Sequence, residues 1–485
     1  MTRVDMSKEA RLGGKLRRLR QERKLSQATM AEQLGISASY LNLLEHNQRP
    51  VTVPVLLKLA QRFNVDVQSL TAEDDSRLVS ELMEAFADPL FDANDVKVND
   101  LTDLVAASPN LGQALLTLYR AYRSGRTNAT PAQAPEPIDG ELDEVQAALP
   151  SEEVSDFIQH RRNHFKELEA AAEELWRDHA LDIDNLTRQL VDILAQRFAV
   201  EVIIRPAGQM DGILREYNPI TRQLFLSEML SLSSRNFQLA YQIGNLGWRK
   251  QIDLLASPGK FTSSAADKLA GSALANYFAG AALMPYERFL EAARKTRYDV
   301  EILQLRFRTS FEQVCHRLTT LRRPGAEGIP FHLLRVDIAG NISKRFSASG
   351  IRIARFGGAC PRWNVYDAFA TPGMLRVQVS RMPDGAAFFC IARTLDFTGR
   401  PSGRGALTQR IGRLAIGLGC PLSYAEELAY ADGLVLDDPT IVTPIGVSCA
   451  VCERLDCVDR AMPSLHHKLE VDENRRGVSA YARPG

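Results

Sequence analysis

Apolar residues recur at helical spacing through the N-terminal region. Leu12, Leu16 and Leu19 predict a first helix with an arginine-rich outer face. Ser26 is placed to cap a second helix over Gln27–Leu34, Gly35 supplies a tight turn, and Ser37 caps a third helix that turns Leu41 and Leu44 inward. Thr52 caps a fourth, with Pro54 tolerated in its first turn and Leu56, Leu59, Ala60 and Phe63 on the apolar side. The stretch from Ser124 to Gly140, rich in Pro, Ala, Gly and small polar residues, reads as a linker. Leu142 to Asp178 is helical in pattern, and strand and helix signals alternate from Leu186. Pro- and Gly-punctuated strands dominate from Phe331 to Asp396.

These elements divide a 485-residue chain, too long for one ordinary core. The expected organisation is a helix-turn-helix domain over 8–72, an acidic helical connector over 73–123, the linker 124–140, a middle domain over 141–325 and a C-terminal α+β domain over 326–485. The fold class is multidomain: a mainly α N-terminal helix-turn-helix followed by α+β sensor domains. The longest apolar run, Gly271 to Pro285, is interrupted by Ser272 and Asn276, and no secretory signal is legible. A cytoplasmic protein with no membrane partner is therefore expected. With no export signal, the seven cysteines read as reduced thiols or metal ligands rather than a disulfide framework.

Charge changes the picture once it is counted by segment. The whole chain balances 59 Lys and Arg against 59 Asp and Glu. Residues 1–62 hold 12 basic and 5 acidic side chains, a net of +7, whereas residues 66–103 hold 11 acidic side chains against Arg77 and Lys97. A basic head of this kind suits a polyanion, because phosphate neutralisation releases counterions.

The head resembles the phage-repressor-like, Xre-type helix-turn-helix family through Leu25-Ser26-Gln27, Gly35-Ile36-Ser37, Tyr40-Leu41-Asn42, Glu45 and Asn47-Gln48-Arg49-Pro50. The resemblance implies that Ser37, Ala38, Ser39, Tyr40 and Asn42 face base edges in the major groove. Gln27, Asn47 and Arg49 would meet phosphates or edges, in a dimer reading two half-sites of an operator.

Phe237 to Leu246 resembles the ImmA/IrrE-type zinc peptidase segment in which one helix carries His-Glu-x-x-His. Two histidines four apart share a helical face and bind zinc, with the Glu as general base. Tyr241, Gln242 and Asn245 occupy those three positions here, and Leu269 to Ala275 contains no acid to serve as third ligand. The expectation is a domain that is not an enzyme, its vacated site turned into a binding pocket with Tyr241 projecting into it. The run His160-Arg161-Arg162-Asn163-His164-Phe165 has the composition of a nucleotide-phosphate site, although a solvated helix face is the commoner origin of such a run.

Cys449, Cys452 and Cys457 have metal-ligand spacing but leave a site incomplete. Cys420, in Gly-Cys-Pro, is the favoured fourth ligand and Cys360, in Ala-Cys-Pro, the reserve; Cys315 and Cys390 read as buried inert thiols. A 4Fe–4S cluster, zinc and free thiols all fit that spacing.

Taken together the chain resembles the short-chain fatty acyl-CoA regulators (the ScfR family), most specifically in Gly358 to Trp363, Met382 to Gly385 and Cys449 to Pro463. The resemblance implies a one-component transcriptional regulator of short-chain acyl or propionate metabolism, with a short acyl-CoA, propionyl-CoA favoured, as effector. It would be a homodimer or higher homo-oligomer on double-stranded operator DNA. Arg161 and Arg162 would meet the CoA phosphates, Phe165 the adenine or pantetheine and Tyr241 the acyl or thiol end. The alternative is a phage- or antitoxin-type repressor whose middle domain is a protein-interaction platform.

Overall fold

The computed structural model describes residues 150–355, 358–395 and 414–464, most of 73–128, and parts of 16–63 and 469–482. In the head, α1 (Gln27–Leu34) starts at Ser26, whose hydroxyl accepts from the Thr29 amide, and stops at Gly35. The turn needs φ +63° there, a left-handed conformation that glycine adopts without steric cost. Then α2 (Ala38–Glu45) begins with the Ser37 hydroxyl accepting from the Tyr40 amide at 3.1 Å. Leu16, Leu19, Met30, Leu34, Leu41, Leu44, Leu59 and Phe63 close one small core, as the periodicity predicts.

The acidic connector folds as α3 (Glu73–Phe86), α4 (Val98–Ala107) and α5 (Pro109–Asn128), the last running on through 124–128, where the composition predicts linker. The middle region opens with α6 (Pro150–His160), α7 (Lys166–Asp178) and α8 (Leu186–Phe198). A small sheet follows in which β3 (Gln223–Ser227) lies between β1 (Glu201–Arg205), parallel to it, and β2 (Arg215–Asn218), antiparallel. Next come α9 (Leu232–Gly247), α10 (Arg249–Ala256), α11 (Ser264–Leu283), α12 (Tyr286–Lys295), α13 (Val300–Phe307) and α14 (Phe311–Thr319). The approach of α9 to α11 depends on Gly244, where a Cβ would come within 2.4 Å of the Phe278 ring.

Among the described residues, the C-terminal region holds a six-stranded sheet of β4 (His332–Asp337), β5 (Ile342–Ser347), β6 (Arg376–Arg381), β7 (Ala387–Leu395), β8 (Leu414–Pro421) and β9 (Val442–Pro444), ordered β5-β4-β8-β7-β6-β9. Side chains alternate between its faces. Leu333, Phe389, Ile391, Ile416 and Leu418 join the core of the middle-region helices. Leu334, Val336, Phe388 and Ala415 fall on the other side, in one apolar cluster with Val79, Leu82 and Leu116 of the connector. A buried arginine ties these parts together: Arg355 pairs with Glu81 of α3 and with Glu152 and Asp156 of α6.

Candidate functional sites

In the head, α2 is braced from below. Arg20 grips the buried Glu45 carboxylate at 2.6 and 3.1 Å, and the Gln27 amide donates to Glu45 at 2.7 Å and to Asn42 Oδ1 at 3.3 Å. Burial alone would raise the Glu45 carboxyl, but hydrogen bonds from Arg20 and Gln27 outweigh it and hold the group below its usual range. Gln27 therefore positions α2 as well as standing near its surface. Ser37 uses its oxygen as a helix cap and Tyr40 packs its ring on the head core. Ala38, Ser39, Asn42 and Arg49 are exposed, and Asn47 lies outside the described residues.

In the middle region α9 presents Tyr241, Gln242 and Asn245. Tyr241 is buried, its hydroxyl 3.2 Å from Ser272 Oγ on α11, and the Arg215 guanidinium of β2 lies 3.7 Å over its ring. Asn245 accepts from Arg249 at 3.1 Å. Cation–π contact and hydrogen bonds thus occupy the places where a peptidase would hold zinc. Two donors are left over: Gln242 Nε2, on a side chain only 2% exposed, and one terminal nitrogen of Arg215 are buried without a partner. A buried unpaired donor costs about 1–3 kcal/mol, so such groups point to a missing acceptor.

The turn between α6 and α7 exposes Arg161 and Arg162. Phe165 departs from the expectation. It is 3% exposed, packed between Phe157 and Tyr277 with ring centroids at 5.9 and 5.0 Å, and cannot stack on an adenine without leaving the core. Behind it Tyr277 donates to Glu169 at 2.6 Å, and Glu169 takes Arg317 through both carboxylate oxygens at 2.6 and 2.9 Å. That buried network fixes the turn that carries the two arginines.

The cysteines also depart from expectation in one respect. Cys420 sits on β8, opposite Phe389 and fully buried in the core shared with the middle region; burial pushes its thiol up. The structure instead brings Cys360 to Cys449, Cys452 and Cys457. The four line one cleft with Pro361, Ile445 and Gly446. The Cys360 amide donates to Val447 O at 3.0 Å and Trp363 Nε1 to Gly446 O at 3.1 Å, which docks the Cys360 segment on the cysteine loop. The two Cys-Pro contexts look alike in sequence, but strand alternation turns Cys420 inward while Cys360 lies on a docked loop. Among the described residues no three His, Cys, Asp or Glu side chains converge tightly enough to hold a single ion. Cys390 lies 3.6 Å from His332 Nε2 with its thiol pushed up to about 12 by burial, and Cys315 is fully buried.

Arg460 and Arg215 were not singled out by sequence. Arg460 is 3% exposed and donates to the carbonyls of Cys449, Cys452 and Arg454, each at 2.7 Å, and of Met462 at 3.3 Å. Its proximity in sequence to Cys457 was the available signal.

A braced helix-turn-helix, a peptidase-type middle domain without zinc ligands at its helix and a C-terminal sheet bearing a cysteine loop define a transcriptional regulator of helix-turn-helix type. Residues 16–70 match the helix-turn-helix family, 195–319 the IrrE N-terminal-like domain, and 320–481 the family described as short-chain fatty acyl coenzyme A regulator, C-terminal. The HTH-type transcriptional regulator RamB of Mycobacterium tuberculosis is 40% identical over 97% of this chain and 98% of its own length. PrpR of the same organism, also an HTH-type transcriptional regulator, is 40% identical over 97% and 95%. The propionyl-CoA carboxylase regulator of Cereibacter sphaeroides is 39% identical over 98% and 99%. A solved Mycobacterium tuberculosis transcriptional regulator superposes with TM-score 0.65 at 40% identity, covering 69% of this chain and all of that one. The chain belongs to the short-chain fatty acyl-CoA regulator family. Among the described residues no helix is long and apolar enough to cross a membrane.

Proposed function

We propose that this chain is a one-component regulator that binds operator DNA through α2 and senses a short-chain acyl-CoA, propionyl-CoA favoured, in the middle domain. The observation that carries the reading is the unpartnered buried nitrogen of Arg215, whose guanidinium lies over the Tyr241 ring, with a second unpartnered donor, Gln242 Nε2, on the helix that bears Tyr241. A thioester carbonyl is an acceptor of the required kind. Arg161 and Arg162, exposed on a turn fixed by buried contacts, supply the guanidinium forks for CoA phosphates. The name of the Cereibacter relative, a propionyl-CoA carboxylase regulator, supports control of short-chain acyl metabolism. The protein acts in the cytoplasm as a homodimer, with effector affinity differing between two arrangements of the recognition helices.

The same reading gives the cysteine cleft a metal centre held by Cys360, Cys449, Cys452 and Cys457. The donor set fits: four thiols share one cleft and the Ala461 amide donates to Cys449 Sγ at 3.4 Å. Four thiols lining one cleft are a donor set that zinc and a 4Fe–4S cluster both accept. When bound, such a centre supplies a stable cross-link between the loop and the Cys360 segment and, if iron–sulfur, one-electron redox chemistry.

A thermal-shift panel of acyl-CoAs on the full chain tests the sensing. A ligand at a hundred times its dissociation constant adds about 2.7 kcal/mol to stability. Stabilisation by propionyl-CoA, larger than that by free CoA at the same concentration, is expected. No shift with any acyl-CoA would favour a protein-interaction platform instead.

A further inference from the structure

The cysteine cleft is unusually cationic. Arg362, Arg454 and Arg460 all line it. Arg362 is neutralised by Asp459 at 3.2 Å. Arg460, the most buried of the three, has only carbonyl oxygens as hydrogen-bond partners, and its Nε is buried without any. Arg454 likewise donates to carbonyls, of Ile445 and Arg381. Carbonyl dipoles satisfy N–H groups, but they carry no net charge. A guanidinium at 3% exposure with no carboxylate partner bears a desolvation cost that calls for an anion nearby.

We propose that the missing anion is the thiolate-ligated metal centre itself, and that Arg460 is the positioning and charge-compensating residue that holds it. The inference rests on the reading of Cys360, Cys449, Cys452 and Cys457 as its ligands. Four thiolates around a divalent ion or a doubly charged cluster core leave an excess of negative charge. Arg460 meets that excess from within the loop, because its two terminal nitrogens each bind the carbonyl of a ligand cysteine, Cys449 and Cys452. One side chain therefore sets the spacing of two ligands and offsets the charge that their deprotonation creates. The neutral Ala461 amide on Cys449 Sγ points the same way, a donor aimed at a sulfur that carries charge.

The test uses the full chain purified anaerobically, as wild type, Arg460→Gln and Arg460→Lys, with iron, sulfide and zinc counted per chain. Expected is that Arg460→Gln loses its metal to a chelator about tenfold faster than wild type, while Arg460→Lys, which keeps the charge, stays nearer wild type. For an iron–sulfur centre the Arg460→Gln potential moves negative, since the more reduced cluster loses a nearby cation, and the Arg460→Lys potential stays close to wild type. Equal stripping rates and potentials in wild type and a folded Arg460→Gln overturn the role of Arg460 and leave the ligand assignment standing. Wild-type protein holding neither iron nor zinc overturns the ligand assignment, and the role of Arg460 with it. Should Arg460→Gln not fold, hydrogen exchange over 445–463 decides: metal removal from wild type is expected to unprotect that loop, and unchanged protection contradicts the proposal.

Discussion

Arg317 in the middle region and Arg460 in the C-terminal loop are equally hidden, at 2% and 3% exposure. Their surroundings differ in one respect. Arg317 meets both oxygens of Glu169, itself buried, with Tyr277 donating to the same carboxylate. Arg460 meets carbonyls alone. A neutralised buried cation is architecture: it staples α7 to α14 and fixes the turn ahead of them. Arg460, with no carboxylate beside it among the described residues, is the cation that the proposed thiolate-ligated centre would compensate. The leftover donors at Gln242 and Arg215 fall on the same side of that division as Arg460.

The sharpest way to break the comparison is to remove the counter-charge from the complete site. Glu169→Gln leaves Arg317 buried and unpaired, and it is expected to cost about 3–5 kcal/mol in chemical denaturation regardless of effector or metal. A loss below about 1 kcal/mol would mean that burial, not pairing, defines the site. The opposite behaviour is expected at the incomplete one. Gln242→Leu removes an unsatisfied donor, so stability should stay level or rise by about 1 kcal/mol while propionyl-CoA affinity falls. Arg162→Ala should leave stability unchanged and weaken CoA binding by about 1.5–3 kcal/mol, the range for a charge-assisted hydrogen bond; calorimetry of both variants reads these effects. In the head, Arg49→Ala is expected to weaken operator binding evenly across sequences and reduce the salt slope of a gel shift by about one.

The smallest effect concerns pH. His332 is buried, its Nδ1 2.8 Å from Ser349 Oγ and its Nε2 beside Cys390, and burial holds its imidazole down at about 3. In the unfolded chain this histidine titrates at about 6.5, so below that pH the unfolded state binds the extra proton and stability falls as the solution becomes more acid. His332→Phe should flatten the stability curve between pH 6.5 and 4 by about one proton's slope. A slope unchanged from wild type would place the acid sensitivity elsewhere.

What was legible in the sequence was local. Ser26, Gly35 and Ser37 delimit α1 and α2 because caps and left-handed turns depend on neighbours in the chain. The empty peptidase positions at Tyr241, Gln242 and Asn245 were readable because a metal motif has fixed spacing on one helix. Tertiary facts were not readable. Phe165 beside two arginines looks ligand-facing until Phe157 and Tyr277 close on it. Cys420 and Cys360 share a Cys-Pro context, and only the strand that buries the first and the loop that docks the second tell them apart. Which arginine lacks a carboxylate is likewise a property of the folded chain, invisible until partners from distant segments are in place.

The central claim is that the vacated peptidase site is completed by the acyl end of a CoA thioester. The most direct measurement is calorimetric titration of propionyl-CoA into wild type and into Arg215→Met, with folding of both checked by thermal melting. Saturable binding to wild type is expected, with at least about a tenfold loss of affinity in a variant that remains folded, since Arg215 supplies one of the unpaired donors. Equal affinity in the two proteins, or no binding to wild type, would contradict it.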